Sequence, residues 1–211
     1  MYFRDRRDAG LILANNLAKY KDRPDVLVLG LPRGGVPVAY EVARALNAPL
    51  DVFIVRKLGV PGQEELGMGA IATGGVRILH EGIIRELGIS PQTIDAVTMN
   101  EQTEITRREI LYRGDRPPPS IEGRIVIVVD DGLATGSTMK AALAALRLQR
   151  PARLVVAVPT APAETSVELR SMADELVCPL TPEPFYAVGG SYANFSQTTD
   201  EEVRDLIKRA A

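Results

Sequence analysis

The sequence predicts an α/β fold, a doubly wound parallel sheet flanked by helices, and three observations lead there. Four short runs, VLVL (26–29), VFIV (52–55), IVIVV (125–129) and LVVAV (154–158), are apolar without alternation, as strands buried on both faces must be. Helix-like segments lie between or beside them, giving the strand, turn, helix, strand rhythm of an open α/β sheet. The 211 residues are 45% hydrophobic, enough for the core of one such domain, so 1–211 is read as a single unit.

Taken in order, the opening MYFRDRRDAG is too charged for a secretory signal, and no run of about 18 apolar residues follows. These features predict a cytoplasmic chain with no membrane partner. After the first strand, Val36 to Leu46 carries Pro37 in its first turn and Val38, Val42 and Leu46 at helical spacing. Beyond the second strand, about 60–123 reads as an insertion. It holds the Gly-rich GVPGQEELGMGAIATGG, a hairpin or strand pair ending near VRILH, and a long helix from Pro91 to Tyr112. Glu104 and Arg108 stand four apart on that helix and favour a solvated face. RGDRPPPSIEG closes the insertion as an extended connector. Ser137 to Leu148 then repeats the helical pattern with Met139, Leu143 and Leu146. After Cys178, a C-terminal segment (about 179–211) gathers Phe185, Tyr186, Tyr192 and Phe195.

Composition narrows the chemistry. One cysteine excludes an internal disulfide, and a single histidine beside it cannot build an ordinary zinc site or a Ser-His-Asp or Cys-His catalytic set. Any metal must therefore sit on oxygen. His80 is read as structural and Cys178 as a small buried hydrophobe. A formal charge of −2 argues against a broad nucleic-acid footprint.

The informative stretch is VVDDGLATGSTM (128–139). A buried strand delivers Asp130 and Asp131 to the carboxyl edge of the sheet, where ligands bind in such folds. Gly132 and Gly136 permit a tight turn, and Thr135, Ser137 and Thr138 add hydroxyls to the amides of a helix N-terminus. That turn suits an anion. The two carboxylates would repel a bare phosphate, so they must face a vicinal diol or a hydrated magnesium ion. A sugar phosphate satisfies both halves.

At these residues the sequence resembles the type I phosphoribosyltransferases, whose motif runs from an apolar strand through two acids and two variable residues to a small residue and Thr-Gly-x-Thr. Every element is present here. The resemblance implies a type I phosphoribosyltransferase-like fold with a small C-terminal hood. It also implies that Asp130 and Asp131 hold the ribose hydroxyls of phosphoribosyl pyrophosphate and bind Mg2+ through water, while Ala134, Thr135, Gly136, Ser137 and Thr138 take the 5-phosphate. GLPRGGVPVA (30–39) matches the family's pyrophosphate loop, with Pro32, Arg33, Gly34 and Gly35 in that role and a non-proline cis peptide expected near Arg33. Arg56 and Lys57, at the end of the second strand, match a basic pair near the pyrophosphate, beside a loop that closes over the site.

The family reading assigns transfer of ribose 5-phosphate to a nitrogenous base, most simply a purine or related heterocycle, with release of pyrophosphate. Asp130, Asp131 and Arg33 are its catalytic residues, and a homodimer is implied. Phe185 and Tyr186 are candidates to stack the base. Members acting on 6-oxopurines usually carry an acid where this chain has Ala134, which weakens that assignment, and the resemblance to salvage enzymes does not place the long 91–112 helix, which leaves the acceptor base open. The alternative is a non-catalytic regulator that binds phosphoribosyl pyrophosphate. A dinucleotide-binding reductase is disfavoured because GLPRGG lacks the Gly-x-Gly-x-x-Gly spacing.

Overall fold

The computed structural model describes residues 3–210. Two sheets are present among them. The larger is parallel, formed by β1 (Val26–Gly30), β2 (Leu50–Val52), β6 (Ile125–Val129), β7 (Arg153–Ala157) and β8 (Glu175–Val177) in the order β2-β1-β6-β7-β8. The smaller is an antiparallel meander of β3 (Val55–Val60), β4 (Gln63–Ala72) and β5 (Val76–Leu79). Helices α1 (Arg6–Asn16), α2 (Gly35–Leu46), α3 (Glu81–Glu86), α4 (Pro91–Arg113), α5 (Ser137–Leu148), α6 (Ala163–Arg170) and α7 (Asp200–Arg209) complete the chain.

The unalternating apolar strands are explained by cover on both faces. Along β6, Ile125, Ile127 and Val129 join a core with residues of α1, α2, α4 and α7, while Val126 and Val128 join one with α5 and Leu169 of α6. Each strand residue thus meets a helix on one side or the other, and each fully buried aliphatic side chain contributes about 1.5–3 kcal/mol.

Helix boundaries follow local chemistry. α4 begins where Ser90 accepts from the Thr93 amide with Pro91 in the first turn, and it ends at Gly114, whose φ is 66°. α2 ends at Asn47 in the left-handed region. The expected helices over 36–46, 91–112 and 137–148 are all found to within a residue.

The expected strand over VFIV is corrected. β2 stops at Val52, and Val55 begins β3 of the other sheet. Phe53 and Ile54 make the crossing, Phe53 buried on the α5 side and Ile54 on the opposite side. The run is apolar throughout because every residue in it is covered, so its composition hides the break. Arg56 and Lys57 accordingly lie within β3, not at the end of a parallel strand. The insertion holds a three-stranded meander where a hairpin or strand pair was expected, with Gly74 and Gly75 turning β4 into β5 at positive φ.

The insertion is tied to the parallel sheet by charge. Arg113 at the end of α4 donates from Nε to both oxygens of Asp51 on β2, at 2.9 and 3.2 Å, with both side chains buried. Burial pushes the Asp51 carboxyl up, against the pull of Arg113. No described helix is long and apolar enough to cross a membrane.

Candidate functional site

In the order β2-β1-β6-β7-β8, the chain leaves β1 toward one edge and returns at β6 on the other side. The loops after β1 and β6 therefore flank the point where the winding reverses, the crevice that open α/β sheets use for ligands. The first loop holds Pro32 to Gly35 and the second Asp130 to Gly136, so the structure brings the two sequence motifs together.

Their approach is close. A Cβ built on Gly34 would collide with Oδ2 of Asp131 and stand 2.7 Å from its Cγ, and one on Gly35 would meet the Val129 carbonyl at 2.7 Å and Asp130 Cα at 2.8 Å. The Gly pair is thus fixed by the contact between the two loops. The Pro32-Arg33 peptide is cis, as the family resemblance implied. Arg33 Nη1 lies 3.9 Å from Oδ1 of Asp200 in the first turn of α7, and the same oxygen accepts 2.6 Å from the hydroxyl of Tyr112 on α4. Burial, then Asp200, push that phenol up to about 12.

The Asp131 amide donates to Asp130 Oδ1 at 2.9 Å, and Nε of Arg6, the first residue of α1, donates to Asp131 Oδ2 at 2.8 Å. Burial pushes Asp130 well above the usual carboxylate range, with the neighbouring Asp131 adding to it. Asp131 is also raised by burial, against the pull of Arg6. Among the described residues, no amide or guanidinium reaches Asp130 Oδ2 or Asp131 Oδ1, and the two carboxyls lie within hydrogen-bonding reach of each other. Two adjoining carboxyls of this kind offer hard oxygen donors that suit a magnesium ion keeping most of its waters.

Gly136 is left-handed at φ 68°, and no side chain caps the helix that follows it, so the first amides of α5 are left for a ligand. Ala134, Thr135, Ser137 and Thr138 are exposed around this turn. Thr165 on α6 anchors it by donating to the Ala134 carbonyl at 2.7 Å. Lys140, one turn into α5, pairs with Glu168.

Other expected residues stand in different settings. Arg56 Nε pairs with Glu101 of α4 at 2.6 Å, and Lys57 Nζ reaches the Glu65 carbonyl across the hairpin at 3.2 Å. Phe185 and Tyr186 line a cavity of about 360 Å³ with Leu180, Pro182 and Ser191, and Tyr186 is 90% exposed. This segment touches the acid turn further along: a Cβ on Gly132 would collide with Val188, and the Tyr192 hydroxyl donates to the Asp131 carbonyl. His80 is an exposed residue that starts α3 without capping it, and Cys178 is half-buried, its thiol pushed up by that burial.

Arg6, Tyr192 and Asp200 escape the sequence reading. No local pattern says that both ends of the chain return to one turn. The signals on offer were the arginines of MYFRDRRDAG and the aromatics after Cys178, neither tied to a partner.

The phosphoribosyl transferase domain model matches residues 7–189. The chain belongs to the phosphoribosyl transferase domain family. Relatives from Mycobacterium tuberculosis, named as phosphoribosyl transferases, are 48% identical over 208 residues, 99% of this chain and 47% of theirs. The chain therefore spans about half the length of these relatives. The bifunctional protein PyrR of Pelotomaculum thermopropionicum is 32% identical over 132 residues, 61% of this chain and 67% of that one. Among solved structures, the protein TT1426 from Thermus thermophilus superposes with a TM-score of 0.87 at 42% identity, covering both chains completely. Membership in this family agrees with the parallel sheet and with both loops at its switch point.

Proposed function

We propose that the chain transfers the ribose 5-phosphate of phosphoribosyl pyrophosphate to a nitrogenous base, a purine or related heterocycle, and releases pyrophosphate. The observation that supports this most is the contact of the Arg33 loop with the acid pair beside an uncapped helix start. A diol, a phosphate and a pyrophosphate find matching groups within one crevice.

In this reading Asp130 and Asp131 accept from the ribose hydroxyls, and the amides of α5 with Thr135, Ser137 and Thr138 hold the 5-phosphate. Arg33 and the Gly34 amide hold the pyrophosphate, the Gly35 amide being committed to the Leu31 carbonyl. As the bond from C1 to pyrophosphate breaks, positive charge develops on the ribose and negative charge on the leaving oxygens. The acid pair faces the first and Arg33 the second, so both ends of the transition state are stabilised by groups set in place beforehand. Bound magnesium would add charge neutralisation on the pyrophosphate, with Asp130 and Asp131 holding its waters. Arg56 and Lys57 would join once their pairs with Glu101 and Glu65 open. Phe185 and Tyr186 offer the base a stacking face from the C-terminal segment.

Isothermal titration with phosphoribosyl pyrophosphate and magnesium, beside a screen of bases for pyrophosphate release, tests the proposal. Saturable binding and release with at least one base are expected. Arg33→Ala should weaken pyrophosphate binding about tenfold or more and leave ribose 5-phosphate nearly unchanged. Binding without release from any base would favour a regulator that senses phosphoribosyl pyrophosphate, and no binding would sink both readings.

A further inference from the structure

Arg6 is the side chain outside both motifs that reaches an acid of the pair directly. Only 13% of it is exposed, and its guanidinium is held on three sides. Nε donates to Asp131 Oδ2 at 2.8 Å, Nη1 donates to the Ser196 carbonyl at 2.6 Å, and Cζ lies 4.0 Å from the centre of the Phe195 ring. Phe195 in turn rests on Tyr192, with ring centres 4.9 Å apart, and the Tyr192 hydroxyl donates to the Asp131 carbonyl. Asp131 is therefore gripped twice, at its side chain from the N-terminal helix and at its main chain from the C-terminal segment.

An ion pair this enclosed differs from a surface pair, which solvent and side-chain freedom render nearly neutral. The aromatic platform and the fork of donors fix the guanidinium plane. A carboxylate on its own rotates broadly about its last bond, whereas one whose Oδ2 is held by a donor that is itself fixed, here Nε of an Arg6 anchored through Nη1 on Ser196, keeps one orientation. With Oδ2 committed to Arg6, Oδ1 is the Asp131 oxygen that Arg6 leaves for a ligand, next along the turn from the Asp130 carboxyl. Two fixed acceptors suit two adjacent hydroxyls, while a rotating one can satisfy a single hydroxyl equally well.

Resting on the function proposed above, we infer that Arg6 is a positioning residue that fixes Asp131 and thereby makes the acid pair select sugars with two adjacent free hydroxyls. It acts through Asp131 and takes no part in holding the 5-phosphate.

The test compares ribose 5-phosphate, 2-deoxyribose 5-phosphate and inorganic phosphate by isothermal titration. Wild type should favour ribose 5-phosphate over the deoxy sugar by about tenfold, the worth of one hydrogen bond to a charged acceptor. Arg6→Ala should bring that ratio to about one, with phosphate affinity unchanged, and Arg6→Lys should restore only part of it because an ammonium lacks the fork. Phe195→Leu, which keeps Arg6 but removes the ring beneath it, should shift the ratio in the same direction and serves if Arg6→Ala fails to fold. An unchanged ratio in Arg6→Ala, or equal losses for all three ligands, overturns the role of Arg6 while leaving the transferase reading intact. A wild-type protein that binds both sugars equally overturns the diol assignment itself, whatever Arg6 does.

Discussion

Glycine stands at 34 and at 136 for different physical reasons, and the sequence alone does not separate them. Gly34 has φ −61° and ψ −31°, which any residue adopts, so what excludes a side chain there is the Asp131 carboxylate against its Cα. Gly136, at φ 68° with Thr165 Cγ2 at 2.9 Å from a would-be Cβ, is required by backbone conformation and by space together. Gly34→Ala is therefore expected to push the two loops apart, at about 1–3 kcal/mol in stability, and to weaken sugar phosphate binding by more than that strain accounts for. Thermal denaturation and titration of the same variant check it. A variant with full affinity would show that the approach of the loops is not what assembles the site. The motif residues themselves were legible because each chemical need, a diol, a phosphate, a turn, selects a residue type. Arg6 and Asp200 were not, because an arginine or aspartate with a distant partner looks like any surface charge.

Among the elements, α4 was legible because Ser90, Pro91 and Gly114 mark its ends in the sequence. Its polar face carries more structure than the spacing of Glu104 and Arg108 suggested: Glu104 also accepts from Arg107, at 2.8 and 3.0 Å. Hydrogen bonds from Arg107 and then Arg108 hold the Glu104 carboxyl down at about 2. A carboxylate whose folded pKa lies below its unfolded value adds stability that is complete above the unfolded pKa and is lost as pH falls through the folded one. Wild type is thus expected to lose stability relative to Glu104→Gln as pH falls from about 4.5 to about 2, with a small amplitude because the carboxylate is solvated. Denaturant melts of the two proteins across that range measure the difference, and parallel pH profiles would remove Glu104 from any role in holding α4. The strand break at Phe53 and Ile54 was not legible, since full burial makes a crossing between sheets as apolar as a strand. Nor was β8, whose three residues are only half-buried and carry no pattern long enough to read.

Across the whole molecule, the parallel sheet with a site at its carboxyl edge followed from the order of apolar runs and helices, whereas the strand order that sets the switch point and the closure of the site by the segments at 3–6 and 191–196 did not. Phe3 donates to the Ser191 carbonyl at 2.9 Å, and Ala193 and Asn194 donate back to the carbonyls of Phe3 and Arg4 at 2.8 and 2.9 Å. The residues just before Arg6 are thus zipped to the segment that carries Phe195. Trypsin cuts after arginine, and Arg4 lies in this paired stretch with Arg6 and Arg7 in the first turn of α1 directly behind it, so a protease reaches a bond on either side of Arg6 most readily when the pairing opens. Cleavage there therefore clocks the opening of the site rather than the unfolding of the core. Ribose 5-phosphate should slow the loss of the first residues in proportion to its occupancy, while cuts elsewhere in the folded protein keep their pace. N-terminal sequencing of timed digests would read this out, and a rate indifferent to ligand would mean that the two ends part independently of the acid pair.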